Sequence, residues 1–114
     1  MKRAETIKDK KLFNHMIKKS KFIKNSHYVI YIMKREDDKI NYGIAISNKV
    51  GNAVIRNRLK RQTRSIIDNN RTLFKNGYNY IIMIRKTLID VSFEKMNESF
   101  VSLIGNRRKD EKEN

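Results

Sequence analysis

Between Asp38 and Asp68 the chain carries no acidic residue, and inside that window a strand pattern runs straight into a helical one. Ile40, Tyr42, Ile44 and Ile46 alternate with Asn41, Gly43, Ala45 and Ser47, as in a strand with one buried face. Gly51 and Asn52 break that pattern. A helix is expected from Ala53 to near Arg71, with Ile55, Leu59 and Ile66 in a narrow stripe at about 100° per residue. Arg56, Asn57, Lys60, Arg61 and Arg64 spread over its opposite side, and Arg58 lies at the margin. Such a helix packs on one side and projects a dense positive field on the other. Asn76 and Gly77 supply a turn before the apolar run Tyr78–Ile84, so the helix reads as a crossover between parallel strands.

The flanking segments complete one domain over residues 1–105. Leu12, Phe13, Met16 and Ile17 recur at helical spacing between Lys10 and Lys18. Phe22 and Ile23 suggest a brief extended piece. Tyr28–Met33 is an unbroken run of β-branched, aromatic and other apolar residues, a strong strand signal. Glu36, Asp37 and Asp38 then turn the chain, so this strand and Ile40–Ile46 are expected to form an antiparallel hairpin. Phe93, Met96, Phe100, Leu103 and Ile104 form the stripe of a last helix, capped by Asp90 or Ser92 and stopped by Gly105. Residues 106–114 are nearly all charged or polar and are expected to form a flexible tail. The fold class is α+β, a small sheet covered by helices.

A chain of 114 residues can bury one modest core. Its 27 Lys and Arg against 12 Asp and Glu give a net charge of +15, most readily tolerated beside a polyanion. No apolar stretch is long enough to span a bilayer, and no signal-peptide core follows Met1–Glu5, so a cytoplasmic protein without a membrane partner is expected. The polyanion could be nucleic acid or an anionic membrane surface, and the reading without a membrane partner favours nucleic acid. Without cysteine there is no disulfide framework, thiolate metal site or cysteine nucleophile. His15 and His27 are too few and too separated for a metal site or an acid–base pair. Glu36, Asp37 and Asp38 could offer oxygen ligands to magnesium, but a solvated turn is the simpler reading. Nothing resembles a phosphate-binding glycine loop, a nucleophile elbow or a metalloprotease helix. No catalytic residue and no metal ligand is assigned.

The missing acids separate the middle helix from an ordinary solvated one, which places Glu four residues from Lys or Arg. Arginine also grips phosphate bidentately and stacks on bases. The run Gly51-Asn52-Ala53-Val54-Ile55-Arg56-Asn57-Arg58-Leu59-Lys60-Arg61 resembles the Arg-Asn-Arg signature of the bacterial ribonuclease P protein subunit. Ser47 and Lys49 resemble the Ser-Lys-Lys that precedes it in that family. The likeness covers nearly the whole chain. It implies an α-β-β-β-α-β-α two-layer sandwich, ribosomal protein S5 domain 2-like, with a left-handed β-α-β crossover against the usual handedness.

The resemblance further implies a protein that joins a large catalytic RNA to remove the 5′ leader of precursor tRNA. The RNA performs the hydrolysis with Mg2+ held mainly by RNA and substrate, and no obligate protein partner is implied. The residues expected against the RNA subunit are Lys49, Asn52, Arg56, Asn57, Arg58, Lys60, Arg61 and Arg64. In the leader cleft, Phe13, Ile17 and Tyr31 occupy the matching positions. Tyr28, Tyr42 and Tyr80 are further aromatics available for stacking, and Tyr28 joins the candidate leader-binding set. The chain departs from the family pattern at Asn48 (for the first lysine), Ser20 (for glycine), Ile17 (for an aromatic), Ser65 (for an acid) and Thr6 (for arginine).

Three rival readings share parts of this pattern. A ribosomal or other structural RNA-binding protein would have the same composition. A DNA-binding regulator would need a short helix and turn ahead of the basic helix, where strands stand instead. A self-sufficient nuclease would need an acid–base or metal constellation.

Overall fold

Four strands form one sheet: β1 (Lys21–Lys24), β2 (Tyr28–Lys34), β3 (Ile40–Ile46) and β4 (Tyr78–Ile84). Three α-helices, α1 (Lys10–Lys19), α2 (Ala53–Asn69) and α3 (Phe93–Glu113), complete the expected α-β-β-β-α-β-α order among the described residues. This computed structural model describes the backbone of residues 6–113 and the side chains of residues 6–105.

The sheet order is β1-β2-β4-β3. β3 and β4 are parallel, Ile40 opposite Tyr78 and Ile46 opposite Ile84, as a helical crossover requires. The expected β2–β3 hairpin does not form. β4 enters between the two and pairs antiparallel with β2, from Tyr28 opposite Ile84 to Lys34 opposite Tyr78. Alternation in Ile40–Ile46 specified which face is buried, but not which strand lies alongside. Burial specifies that: Asn79, Tyr80, Ile81 and Ile82 are buried in succession, so β4 is covered on both faces and takes the central place.

The two faces carry separate cores. On one, α2 and α3 cover Tyr28, Ile30, Tyr42, Tyr80, Ile82 and Ile84 with Leu59, Ile66, Ile67, Met96 and Phe100. The rings of Phe74, Tyr42, Tyr80, Tyr28 and Phe100 meet there, mostly edge to face, with centroids 4.8–5.8 Å apart in the close pairs. On the other, α1 lays Met16 on Ile81, with Phe13, Ile17, Tyr31, Met33 and Ala45 packed around them. The route of α1 follows from its ends. Ile7 donates its N–H to the Tyr42 carbonyl on edge strand β3, while Ser20 leads directly into β1 at the opposite edge. Three strand spacings of ~4.8 Å are ~14 Å, and ten helical residues span ~15 Å, so α1 crosses the sheet from edge to edge.

At the ends of α3 one expectation is met and one changes. Ser92 caps α3, its Oγ accepting from Lys95 N–H at 3.3 Å. Gly105 does not stop the helix, which continues to Glu113. A helical glycine costs only about 1 kcal/mol relative to alanine, and Gly105 lacks the positive φ of a terminating cap. The side chains of the expected 106–114 tail lie outside the described residues. No helix among the described residues is long and apolar enough to cross a membrane.

The segment after β2 is pinned by Arg35. Its Nε and Nη2 donate to the two Asp37 oxygens at 2.7 and 2.9 Å, and its Nη1 donates to Asn79 Oδ1 at 2.7 Å. The hydrogen bond from Arg35 holds the Asp37 carboxyl down to about 2. Because the folded pKa lies below the unfolded one, this pair stabilises the fold above pH ~4 and is lost as pH falls towards 2. Urea melts of wild type and Asp37→Asn should therefore differ at pH 7 and converge near pH 2. A gap that persists in acid would contradict this.

Candidate nucleic-acid interface

The start of α2 is fixed by the sequence ahead of it. Ser47 Oγ accepts from Lys49 N–H and caps a short 3-10 turn, Asn48–Val50, whose Val50 is buried. Gly51 then adopts φ 147°, ψ −167°, a region that side chains rarely enter, and Ile55 packs against the space a Cβ would fill. Asn52 Oδ1 caps α2 by accepting from Ile55 N–H at 3.0 Å. Leu59 and Ile66 are buried as expected, and Ile55 is half-buried against the same core. Thr63 and Ile67 are buried as well, widening the packed stripe.

The cations of α2 fall into three sectors. Arg56 turns back along the helix, and its Nη1 donates to the Gly51 carbonyl and, at 3.5 Å, to that of Asn48. Arg58 leans the other way, its Nη2 donating to the Ile89 carbonyl at 2.9 Å in the loop before α3. Both signature arginines therefore brace backbone while keeping other N–H donors. Between them Asn57, Arg61 and Arg64 are exposed, in line with the 78% exposed Val54. Lys60 is half-buried, and Lys49 and Asn52 stand exposed at the head of the helix. Among the described residues no acidic group is seen paired with a cation from Arg56 to Arg64; Asp37 pairs with Arg35, and Asp68 with Arg71.

Arg64 joins this helix to the opposite face of the sheet. It lines a shallow depression of about 180 Å³ with Thr6, Ile7, Phe13, Gly43 and Ile44. Gly43 makes room for it: a Cβ there would meet the Phe13 ring at 2.9 Å. Across the strands, Gly43 aligns with Ile81, Ile81 with Tyr31, and Tyr31 with Phe22. Phe13 and Ile17, one helical turn apart on α1, pack in the same cluster as Tyr31, and all three are half-buried. The structure thus brings Phe13, Ile17, Tyr31 and Arg64 to one side of the sheet.

Tyr28 does not belong to that surface. Strand alternation turns it to the other face, where it is fully buried with its ring edge-on to Phe100. Tyr42 and Tyr80 are buried there too. Burial pushes the Tyr28 hydroxyl up to about 12, partly offset by the neighbouring Thr63 hydroxyl, yet neither oxygen has a well-formed hydrogen bond. Replacing both at once, Tyr28→Phe with Thr63→Val, should leave stability in urea within ~1 kcal/mol of wild type or slightly above it. A loss beyond ~2 kcal/mol would show that the two hydroxyls form a strong bond.

Sequence reading missed two features. Residues 10–35 contain no acid, only Lys10, Lys11, Lys18, Lys19, Lys21, Lys24, Lys34 and Arg35 among charged residues, so α1 and β1 form a second one-signed stretch. Phe22 in β1 is 53% exposed, and its ring lies 5.8 Å from that of Tyr31. The acid-free stretch was countable in the sequence; the ring pair needed the β1–β2 register.

Comparison with known proteins places the chain in a family. Residues 1–107 fit the profile of the family described as Ribonuclease P. The chain belongs to the ribonuclease P protein family. The ribonuclease P protein component of Mycoplasma capricolum is 35% identical over 105 residues, 91% of this chain and 96% of the relative. That of Shouchella clausii is 31% identical, covering 96% and 99%. Among solved structures, a Staphylococcus aureus RNase P protein mutant superposes with a TM-score of 0.85 at 25% identity, over 93% of this chain and 90% of that one. The Thermotoga maritima RNase P protein gives 0.78 at 27%, over 86% and 93%. The α+β fold is thus that of ribonuclease P proteins. Membership makes the chain a component of a tRNA-processing ribonucleoprotein, with RNA as its partner.

Proposed function

We propose that the outer face of α2 binds the catalytic RNA of ribonuclease P, while the α1 side of the sheet receives the single-stranded 5′ leader of precursor tRNA. One observation carries this reading: Arg64 of the basic helix and Phe13 of α1 line the same depression. Groups suited to phosphates therefore run directly into groups suited to unpaired bases. Arg61, Arg64 and Lys60 meet RNA phosphates; Arg56 and Arg58, already braced by backbone carbonyls, offer their remaining donors without a further ordering cost. Phe13, Ile17 and Tyr31 contact the leader.

Cleavage resides in the RNA. The chain's own acids are poorly suited to magnesium: the Asp37 carboxylate is occupied by Arg35 and by Lys39 N–H, and no group of three or more His, Asp or Glu gathers among the described residues. Mg2+ is held by RNA and substrate. The protein's part is electrostatic: a +15 chain seated between two polyanions lowers their repulsion and so the magnesium concentration required.

The test is cleavage of a precursor tRNA by bacterial ribonuclease P RNA at low magnesium, with and without this protein. Cleavage at the mature 5′ end only when both are present supports the proposal. If the protein changes nothing, a general structural RNA-binding role takes its place; cleavage by the protein alone would overturn the assignment of catalysis to RNA.

A further inference from the structure

We propose that Phe22 is a base-stacking residue for the distal part of the leader, at the far edge of the surface that begins at Arg64. This rests on the leader reading above and extends it by one residue.

Three observations meet at Phe22. It is one of two large hydrophobic side chains left exposed among the described residues, and it sits on β1, an edge strand. An exposed aromatic on a sheet edge invites pairing with another chain, and proteins blunt such edges with charge. Here Lys21 and Lys24 flank it on β1 and Lys18 and Lys19 precede it on α1, all exposed, with no acid between Asp9 and Glu36. An apolar ring in a purely cationic setting suits a ligand that pairs flat hydrophobic faces with negative charge, which is single-stranded nucleic acid. Finally, Phe22 stands directly opposite Tyr31, their rings tilted by 51° at 5.8 Å, so the two extend one aromatic surface onto the edge strand. At position 17, by contrast, α1 supplies Ile17, an apolar side chain without a π face.

Distance sets the nucleotide involved. From Gly43, under the Phe13 ring, to Phe22 is three strand spacings of ~4.8 Å, or ~14 Å. At ~3.4 Å per nucleotide for a fully stacked strand, and up to about twice that for an extended one, Phe22 meets a base about two to four nucleotides beyond the one at Phe13.

The chain has no tryptophan, so Phe22→Trp introduces a single reporter at this position. The protein reassembled with ribonuclease P RNA is titrated with precursor tRNAs whose leaders are about four and about ten nucleotides long. The long leader alone should quench the tryptophan. Phe22→Ala and Phe22→Leu should each cost about tenfold in affinity for the long leader relative to the short one. If Phe22→Leu binds like wild type, the ring only packs on Tyr31 and the proposal is wrong. Quenching that follows protein concentration without RNA would assign the patch to self-association and equally overturn it. Phe13→Ala separates the two levels: if it weakens leader binding while the Phe22 variants do not, only this inference fails. If neither has an effect, the leader reading itself fails.

Discussion

Replacing Lys60, Arg61 and Arg64 together with alanine is expected to weaken binding to ribonuclease P RNA by about two orders of magnitude at ~0.15 M salt. Each phosphate left without its cation lowers the slope of log affinity against log salt by ~0.9, so three such phosphates lower it by ~2.7, and the deficit should fade as salt rises. Thermal stability should hold or rise slightly. Arg61 and Arg64 are exposed, none of the three pairs with an acid among the described residues, and their mutual repulsion disfavours the fold. Filter-binding titrations over a salt series, beside a thermal melt, check both halves. An affinity deficit independent of salt would mean that the helix engages RNA by something other than phosphate neutralisation.

Phe100→Ala is expected to be the most damaging single truncation of the core. Phe100 is completely buried on α3, with Tyr28 edge-on at 5.4 Å and Phe74 at 5.8 Å, so its removal opens a cavity where three rings meet. The cost is ~3–5 kcal/mol, a large part of the ~5–15 kcal/mol by which such a domain is stable. A fall in Tm of about 15 °C follows. Val54→Ala, at a 78% exposed position, should change stability by less than ~0.5 kcal/mol and serves as the control. A small effect of Phe100→Ala would mean that the aromatic cluster can close over the gap.

The sequence made the elements legible but not all of their neighbours. Ile40–Ile46 and Tyr78–Ile84 could be read as parallel strands because a helix lies between them, and the register bears this out. The expected hairpin is absent because β2 and β3, adjacent in sequence, are not adjacent in space. Only the two-sided burial of β4 places it between the other two, and that depends on which helices cover which face. The basic face of α2 was legible from residue types at 100° intervals. That Arg56 and Arg58 brace carbonyls was not, because the partners at Gly51 and Ile89 are set by how the loops fold back. Tyr28 and Tyr31 look alike in the sequence. Three residues apart on one strand they face opposite sides, and only knowledge of which side α1 covers separates a core ring from one at the surface.

The central position of β4 has a consequence for synthesis. The strand that joins the two halves of the sheet is made fourth, some fifty residues after β2 begins. At ~5–20 residues per second, β2 waits roughly 3–10 s for its main partner. During that interval β3 lacks its partner strand and α2 has no completed sheet beneath its apolar stripe. A nascent chain ending before Tyr78 therefore holds every basic residue of the signature helix and none of the strand that anchors it. Completion of the sheet awaits the emergence of Tyr78–Ile84, and the basic helix has its full packing surface only once that strand is in place.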